Sequence, residues 1–283
     1  MIMATLDDYY DVQYNARASV ADYEHYPRLY RSLSDAAHAS LPVTKDVAYG
    51  PGSGERLDIF TAAQPDAPVL LFIHGGYWRA LSKADSAFMA PALTQAGACV
   101  VVIDYDLAPA VTLDHIVDQT RRALAWVHRH IGEFGGDPAR IVASGSSAGG
   151  HLVGMLLAGG WHQDYGVPPS VLHGALPISG LFDLQPLLAT HINAWMHLDE
   201  VSARRNSPQF HLPAHDTPLK ISYGALESEE FARQSHDYLD AWCREGLSGQ
   251  GVKAPGRNHF DVVLQLGEPG TPLYLAARHL LGL

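Results

Sequence analysis

The sequence predicts an α/β protein built on an open, mostly parallel sheet with helices on both faces. Three observations carry that expectation. Short apolar runs of strand length alternate with longer stretches of helical spacing along most of the chain. The strand runs are apolar throughout rather than alternating, as strands covered on both faces must be. And at 140–154, "RIVASGSSAGGHLVG", an apolar run passes into a helical one through a seam of glycines and two adjacent serines.

In chain order, a polar, tyrosine-rich segment at 5–40 reads as an N-terminal extension. "KDVAYG" and "RLDIFTA" then pair as an antiparallel hairpin at the sheet edge. "PVLLFIH" (68–74) and "ACVVVIDY" (98–105) are buried strands, with "KADSAFMAPALTQAG" (83–97) between them as a helix ending at a glycine. The alternation continues with helix 112–131, strand 140–144, helix 148–159 and strand 171–179. After 180–217 it resumes with strand 218–224, helix 229–246, strand 251–255 and the closing helix 271–282. The chain thus reads as one domain over 1–283. The long irregular interval 180–217 reads as a lid-like insertion, because so long an interval in a compact domain is usually a lid or a binding wall.

Composition narrows the function. With 283 residues, 47% of them hydrophobic, the chain can bury a sizeable core. A formal charge of −11 with only 19 Lys and Arg argues against a nucleic-acid partner. No apolar run approaches the roughly 18 residues that span a bilayer. "MIMATLDDYYDVQYNARAS" has neither a basic n-region nor an apolar h-region, so a cytoplasmic location without a membrane partner is expected. Cys99 and Cys243 both read as buried thiols. The 16 histidines invite a metal, yet there is no HExxH, and His128 and His130 lie two apart on a helix, on different faces. No metal and no cofactor is expected. A homodimer is left open.

Chemistry enters at the glycine seam. Gly145-Ser146-Ser147-Ala148-Gly149 fits G-x-S-x-G in its required strand–turn–helix context, so Ser147 is the candidate nucleophile, on a sharp turn at the carboxyl edge of the sheet. The competing reading is an ordinary glycine-rich turn capping a helix. "HGGYW" (74–78), also directly after a strand, matches a glycine-rich oxyanion loop. Gly75, Gly76 and Tyr77, with Ala148, would form that oxyanion hole, while His74 reads as a structural support of the loop. In this arrangement the acid and then the base follow the serine in chain order. His259, on the loop after "GVKAP", is the candidate base, whereas His236 and His279 lie within predicted helices. Glu227, just past strand 218–224, is the candidate acid, with Asp261 as its rival. Glu229 and Glu230 read as a solvated acidic helix start.

The combination of "HGGYW", "DYDLAP" (104–109), "FGGDPARI" (134–141), "GSSAGGHL" (145–152), "NHF" (258–260) and "QYNARASVADYEHY" resembles the bacterial kynurenine formamidase (arylformamidase)-like branch of the α/β-hydrolases. The likeness runs from about residue 7 to the end. It implies the α/β-hydrolase fold, a serine triad and no cofactor. The chain departs from related esterases in carrying Ser146 rather than Asp or His before the nucleophile, and Glu227 where Asp is common.

The expected reaction is attack of Ser147 on a formyl or short acyl carbonyl with His259 taking its proton, followed by hydrolysis of the acyl-enzyme. The substrate class is an aryl amide or ester, with a broad short-chain carboxylesterase and a non-catalytic binding protein as alternatives. Tyr77, Trp78, Ser146, Phe182 and Trp195 are the expected substrate-binding residues, and Arg204 or Arg205 could meet a substrate carboxylate. The competing reading packs Trp195 onto the domain and leaves both arginines in solvent.

Overall fold

A computed structural model describes residues 6–283. Residues 1–5, the start of the N-terminal stretch read above and the first residue of the 5–40 extension, lie outside the described residues. In chain order the elements are α1 (Leu6–Gln13), α2 (His25–Ser40), β1 (Val43–Ala48), β2 (Arg56–Phe60), β3 (Ala67–Ile73), α3 (Ala90–Gln95), β4 (Cys99–Ile103), α4 (Leu113–His130) and β5 (Gly136–Ser146). They continue with α5 (Ala148–Leu157), β6 (Gly174–Ile178), α6 (Asn193–Met196), α7 (Glu200–Arg205), β7 (Leu219–Gly224), α8 (Glu229–Arg244), β8 (Gly249–Ala254) and α9 (Pro272–Leu281). No helix among the described residues is long and apolar enough to cross a membrane.

The strands form one sheet in the order β1-β2-β4-β3-β5-β6-β7-β8. β1 and β2 pair antiparallel, as does β2 with β4, and from β4 through β8 every pairing is parallel. The uniformly apolar strands explain the burial of both faces. In β3, Val69, Leu71 and Ile73 join one core cluster, while Leu70 and Phe72 join the other. In β4, Cys99, Val101 and Ile103 divide from Val100 and Val102 in the same way. A period of two makes each strand a seam between two cores.

Three expectations are corrected. Residues 83–97 do not form one helix: a 3-10 turn at Lys83–Asp85 precedes the short α3, which has a proline in its first turn. Pro91 has no amide hydrogen to give to a preceding turn, so it opens a helix and does not sit within a longer one. The 180–217 interval is not irregular. It contains α6, α7 and two 3-10 turns, and buries Leu181, Phe182, Leu184, Leu187 and Ile192 in the core. Cys243 is exposed, whereas Cys99 is buried and its thiol is pushed up to about 12 by that burial.

Register brings the strand ends together. Ile73 of β3 pairs with Gly145 of β5, Ser146 pairs with Ile178 of β6, and Gly224 of β7 pairs with Ala254 of β8. The loops leaving these strands begin with His74, Ser147, Ser179, Ala225 and Pro255. Every residue expected to do chemistry therefore stands on one edge of the sheet.

Candidate active site

Ser147 is the hinge between β5 and α5, with φ 58° and ψ −118°. A serine is strained there, and such geometry persists only where the surroundings over-determine it. Its amide donates to Ile178 O (2.9 Å), and its carbonyl accepts from His151 N (2.9 Å). The glycine two residues on is required by contact: a Cβ at Gly149 would lie 2.0 Å from Ile73 O and 2.7 Å from His74 O. The helix thus crosses the end of β3 at backbone distance, and Ser147 is lifted to the sheet edge.

His259 Nε2 lies 3.0 Å from Ser147 Oγ, and His259 Nδ1 lies 2.6 Å from Glu227 Oε2. With Nδ1–H donated to the carboxylate, the lone pair of Nε2 faces the serine hydroxyl. The Glu227 carboxylate is fully buried, and its other oxygen accepts from Ser179 Oγ (2.6 Å) and Gly224 N (2.5 Å). Phe231 covers the His259 ring at 4.4 Å between centroids. Asp261 does not reach His259. Its carboxylate accepts from Asn258 N (2.7 Å) and closes the loop that carries the histidine.

The glycine loop lies against the serine. A Cβ at Gly75 would be 2.7 Å from Ser146 O and 3.3 Å from Ser147 Cβ, so only a bare backbone approaches this closely. Gly76, Tyr77 and Trp78 all have positive φ, at 92°, 49° and 57°. The amides of Gly76, Tyr77 and Ala148 have no hydrogen-bond acceptor among the described residues. Ala148 is the first residue of α5, where free amides and the helix dipole both favour negative charge.

Two buried histidines brace this loop. Trp78 Nε1 donates to His151 Nδ1 (3.2 Å), so the His151 Nε2–H donates to Asn206 O (2.7 Å). Burial pushes His151 down to about 4, keeping it neutral and able to accept from the indole. His74 is likewise pushed down to about 4 by burial, with its ring stacked on Tyr105 at 4.1 Å.

A cavity of about 240 Å³ opens at Ser147, Ser146 and His259. Tyr77 and Trp195, two of the residues singled out in the sequence, line it, and Trp195 Nε1 donates to Tyr77 O (3.3 Å). Trp78 and Phe182 do not line it. Trp78 is fully buried beneath the loop, and Phe182 stacks on Tyr238 at 4.2 Å inside the core. Arg204 and Arg205 are also elsewhere: Arg204 covers the Phe210 ring, and Arg205 grips Asp114 with two hydrogen bonds of 2.8 Å.

Much of the wall comes instead from the N-terminal extension, through Tyr14, Arg17, Tyr23 and Tyr30. Apolar patterning gives little sign of this, because the buried positions of the segment are tyrosines interleaved with small residues, Tyr14, Ala16, Tyr30, Ser34 and Ala37. Tyr14 is the chief of them. Its hydroxyl donates to Glu230 (2.7 Å) and accepts from Gln234 Nε2 (2.9 Å), while its carbonyl accepts from Tyr77 Oη (2.6 Å). Glu230 is therefore buried and paired, not a solvated helix start, since it also receives Arg233 at 2.7 Å. Ser179, which holds Glu227, was likewise not singled out by any motif.

Comparison with known proteins bears on the fold and the family. A family model described as BD-FAE matches residues 57–164. The kynurenine formamidase of Salmo salar is 37% identical over 78% of this chain and 76% of its own length. That of Danio rerio is 35% identical over 83% and 81%. A solved structure from Silicibacter sp., described provisionally as a thioesterase, superposes with a TM-score of 0.83 at 28% identity, covering 94% of this chain and 97% of that one. Fold and relatives define a serine hydrolase of the formamidase and esterase type on the α/β-hydrolase fold. Within that superfamily, the chain belongs to the kynurenine formamidase family.

Proposed function

We propose that the protein is an aryl formamidase and short-chain aryl esterase, with Ser147 as nucleophile, His259 as general base and acid, and Glu227 as the orienting carboxylate. The observation that carries this reading is the unbroken line Ser147 Oγ–His259–Glu227, with contacts of 3.0 and 2.6 Å, on a strained turn beside the free amides of the glycine loop.

In the first half-reaction His259 Nε2 accepts the Ser147 proton as Oγ bonds to the formyl or acyl carbon. The carbonyl oxygen takes up negative charge, and the amides of Gly76, Tyr77 and Ala148 stabilise it. When the tetrahedral intermediate collapses, the bond to the aryl nitrogen or oxygen breaks and His259 returns its proton to that leaving atom. Water, deprotonated by the same imidazole, then cleaves the acyl-enzyme and regenerates Ser147. Glu227 keeps the imidazole in the tautomer this requires and balances its transient positive charge.

The acyl group is small and the leaving group aromatic. A cavity of about 240 Å³ is below the roughly 300–1,000 Å³ of ordinary ligand pockets, and Tyr23, Tyr77 and Trp195 supply ring faces. The test is a kcat/KM series on p-nitrophenyl esters from acetate to decanoate beside N-formylkynurenine. The expected result is efficient hydrolysis of formyl and acetyl substrates with a steep fall as the acyl chain lengthens. Efficiency rising toward the decanoate would overturn the small acyl pocket, and acetate turnover without cleavage of the formamide would leave an esterase alone.

A further inference from the structure

The cavity carries an asymmetry of charge that the triad does not use. Of its charged lining residues, Asp85 is neutralised by Arg31 at 2.7 Å and accepts from Ser82 Oγ at 2.9 Å. His191 is held by Asp11 through its backbone amide and its ring. Arg17 and Arg79 remain. Neither has a carboxylate within ion-pair distance among the described residues, in a chain whose formal charge is −11. The two unpaired charges at the cavity are thus both guanidinium groups.

Their mounting leaves them ready to bind. Arg17 lies over the Tyr23 ring at 4.5 Å and Arg79 over the Trp195 ring at 4.2 Å, and both rings line the same cavity. Stacking occupies the face of a guanidinium and limits its side-chain freedom, while the N–H donors, which lie in its plane, stay available. A planar acceptor with two oxygens matches that edge. The supports are themselves tied together. Tyr77 Oη donates to Tyr14 O, joining the loop that bears Arg79 to the segment that bears Arg17, and Trp195 Nε1 donates to Tyr77 O.

We propose that Arg17 and Arg79 are specificity-determining residues of this site, binding a carboxylate on the leaving-group portion of the substrate. This rests on the serine-hydrolase reading above. It differs from the sequence expectation, which offered Arg204 or Arg205 as the carboxylate partner. The two segments that supply the cations, the N-terminal extension and the glycine loop, lie far apart in sequence and both line this cavity.

The experiment compares kcat/KM for an acid and its methyl ester in two pairs: N-formylkynurenine with its methyl ester, and 4-acetoxybenzoate with methyl 4-acetoxybenzoate. The acid-to-ester ratio is measured for the wild type and for Arg17→Gln, Arg79→Gln and their combination, with Arg17→Lys as the charge-retaining variant and Arg205→Gln as a control away from the cavity. The expected result is a ratio that falls on the order of tenfold or more in the double variant, mainly through KM. Arg17→Lys should keep part of the preference and Arg205→Gln all of it. Raising the salt concentration should weaken the acid's KM and leave the ester's little changed. A ratio that both Gln substitutions leave at its wild-type value, in whichever pair is hydrolysed, overturns the site and reduces the two arginines to clips on their rings. If neither formyl compound is cleaved but the acetoxy pair is, the formamidase reading fails while the anion site is still read from the second pair.

Discussion

At the residue scale, the chemistry depends on which hydroxyl and which carboxylate the backbone aims at His259. Ser146 and Ser147 are neighbours of the same type, but only Ser147 occupies the turn with φ 58° and reaches Nε2. Ser147→Ala should therefore lower kcat by about 10⁴-fold or more, while Ser146→Ala retains most turnover. The same contrast applies to the acids. Glu227 contacts Nδ1 at 2.6 Å, and Asp261 is committed to the amide of Asn258. Glu227→Gln should cost on the order of 10⁴-fold in kcat by losing the tautomer and the balancing charge. Asp261→Asn should show a small loss with a lower melting temperature. Steady-state kinetics on p-nitrophenyl acetate, with circular dichroism to verify folding, decides both points. A crippling Asp261→Asn would mean that the loop, not Glu227, orients the base.

At the element scale, the glycine loop proposed as the oxyanion hole is held in left-handed backbone geometry by a side chain beneath it. Trp78 is fully buried and bonded to His151 on α5, while Tyr77 is bonded above to the N-terminal segment. Trp78→Phe removes the indole donor and leaves His151 Nδ1 without it, so the loop loses one of its clamps. The expected outcome is a kcat reduced ~10- to 100-fold with KM changed far less, because displaced amides weaken the transition state more than the ground state. An unchanged kcat, or a loss confined to KM, would show that the loop holds its geometry without this bond. The same loop shows what the sequence makes legible. Strand runs such as 68–74 and 98–105 declare themselves because both faces are buried, and the glycine motifs because their backbones must pass at contact distance. Trp78 and Phe182 were misplaced, since an aromatic next to a motif looks the same in sequence whether it faces the cavity or the core. The cavity wall built from Tyr14, Tyr23 and Tyr30 was hidden for a related reason. A tyrosine whose helix buries only serine and alanine beside it, as Tyr30 does with Ser34 and Ala37, leaves no apolar stripe to read.

At the scale of the whole molecule, the sheet gathers its functional loops along one edge, and the structure that supports them encloses ionisable groups deep inside. His74 and His151 are both buried at the junction of β3, β5 and α5, and burial pushes each from the ordinary histidine value of 6.5 down to about 4. Asp104, reached by Lys83 N at 2.6 Å, is pushed the other way, from 3.8 up to about 6, chiefly by desolvation. The signs oppose one another. A depressed histidine contributes stability that is complete above 6.5 and is lost as pH falls through about 4, because the unfolded chain binds the proton first. A raised carboxylate contributes stability that is complete below 3.8 and is lost as pH rises through about 6. His162 is depressed by burial as well, and three histidines against one raised carboxylate make the net slope positive between these limits, so the urea midpoint should fall as the protein is taken from pH 7 to pH 4. His151→Gln isolates one contributor, since the amide can accept from Trp78 and donate to Asn206 O but cannot titrate in this range. Whatever it does to absolute stability, the variant should flatten the dependence of unfolding free energy on pH by up to about 1.4 kcal/mol per pH unit within that window. Parallel urea titrations of both proteins at half-unit steps measure the difference. Two curves of equal slope would mean that His151 keeps its ordinary affinity for a proton, and that acid opens the molecule elsewhere.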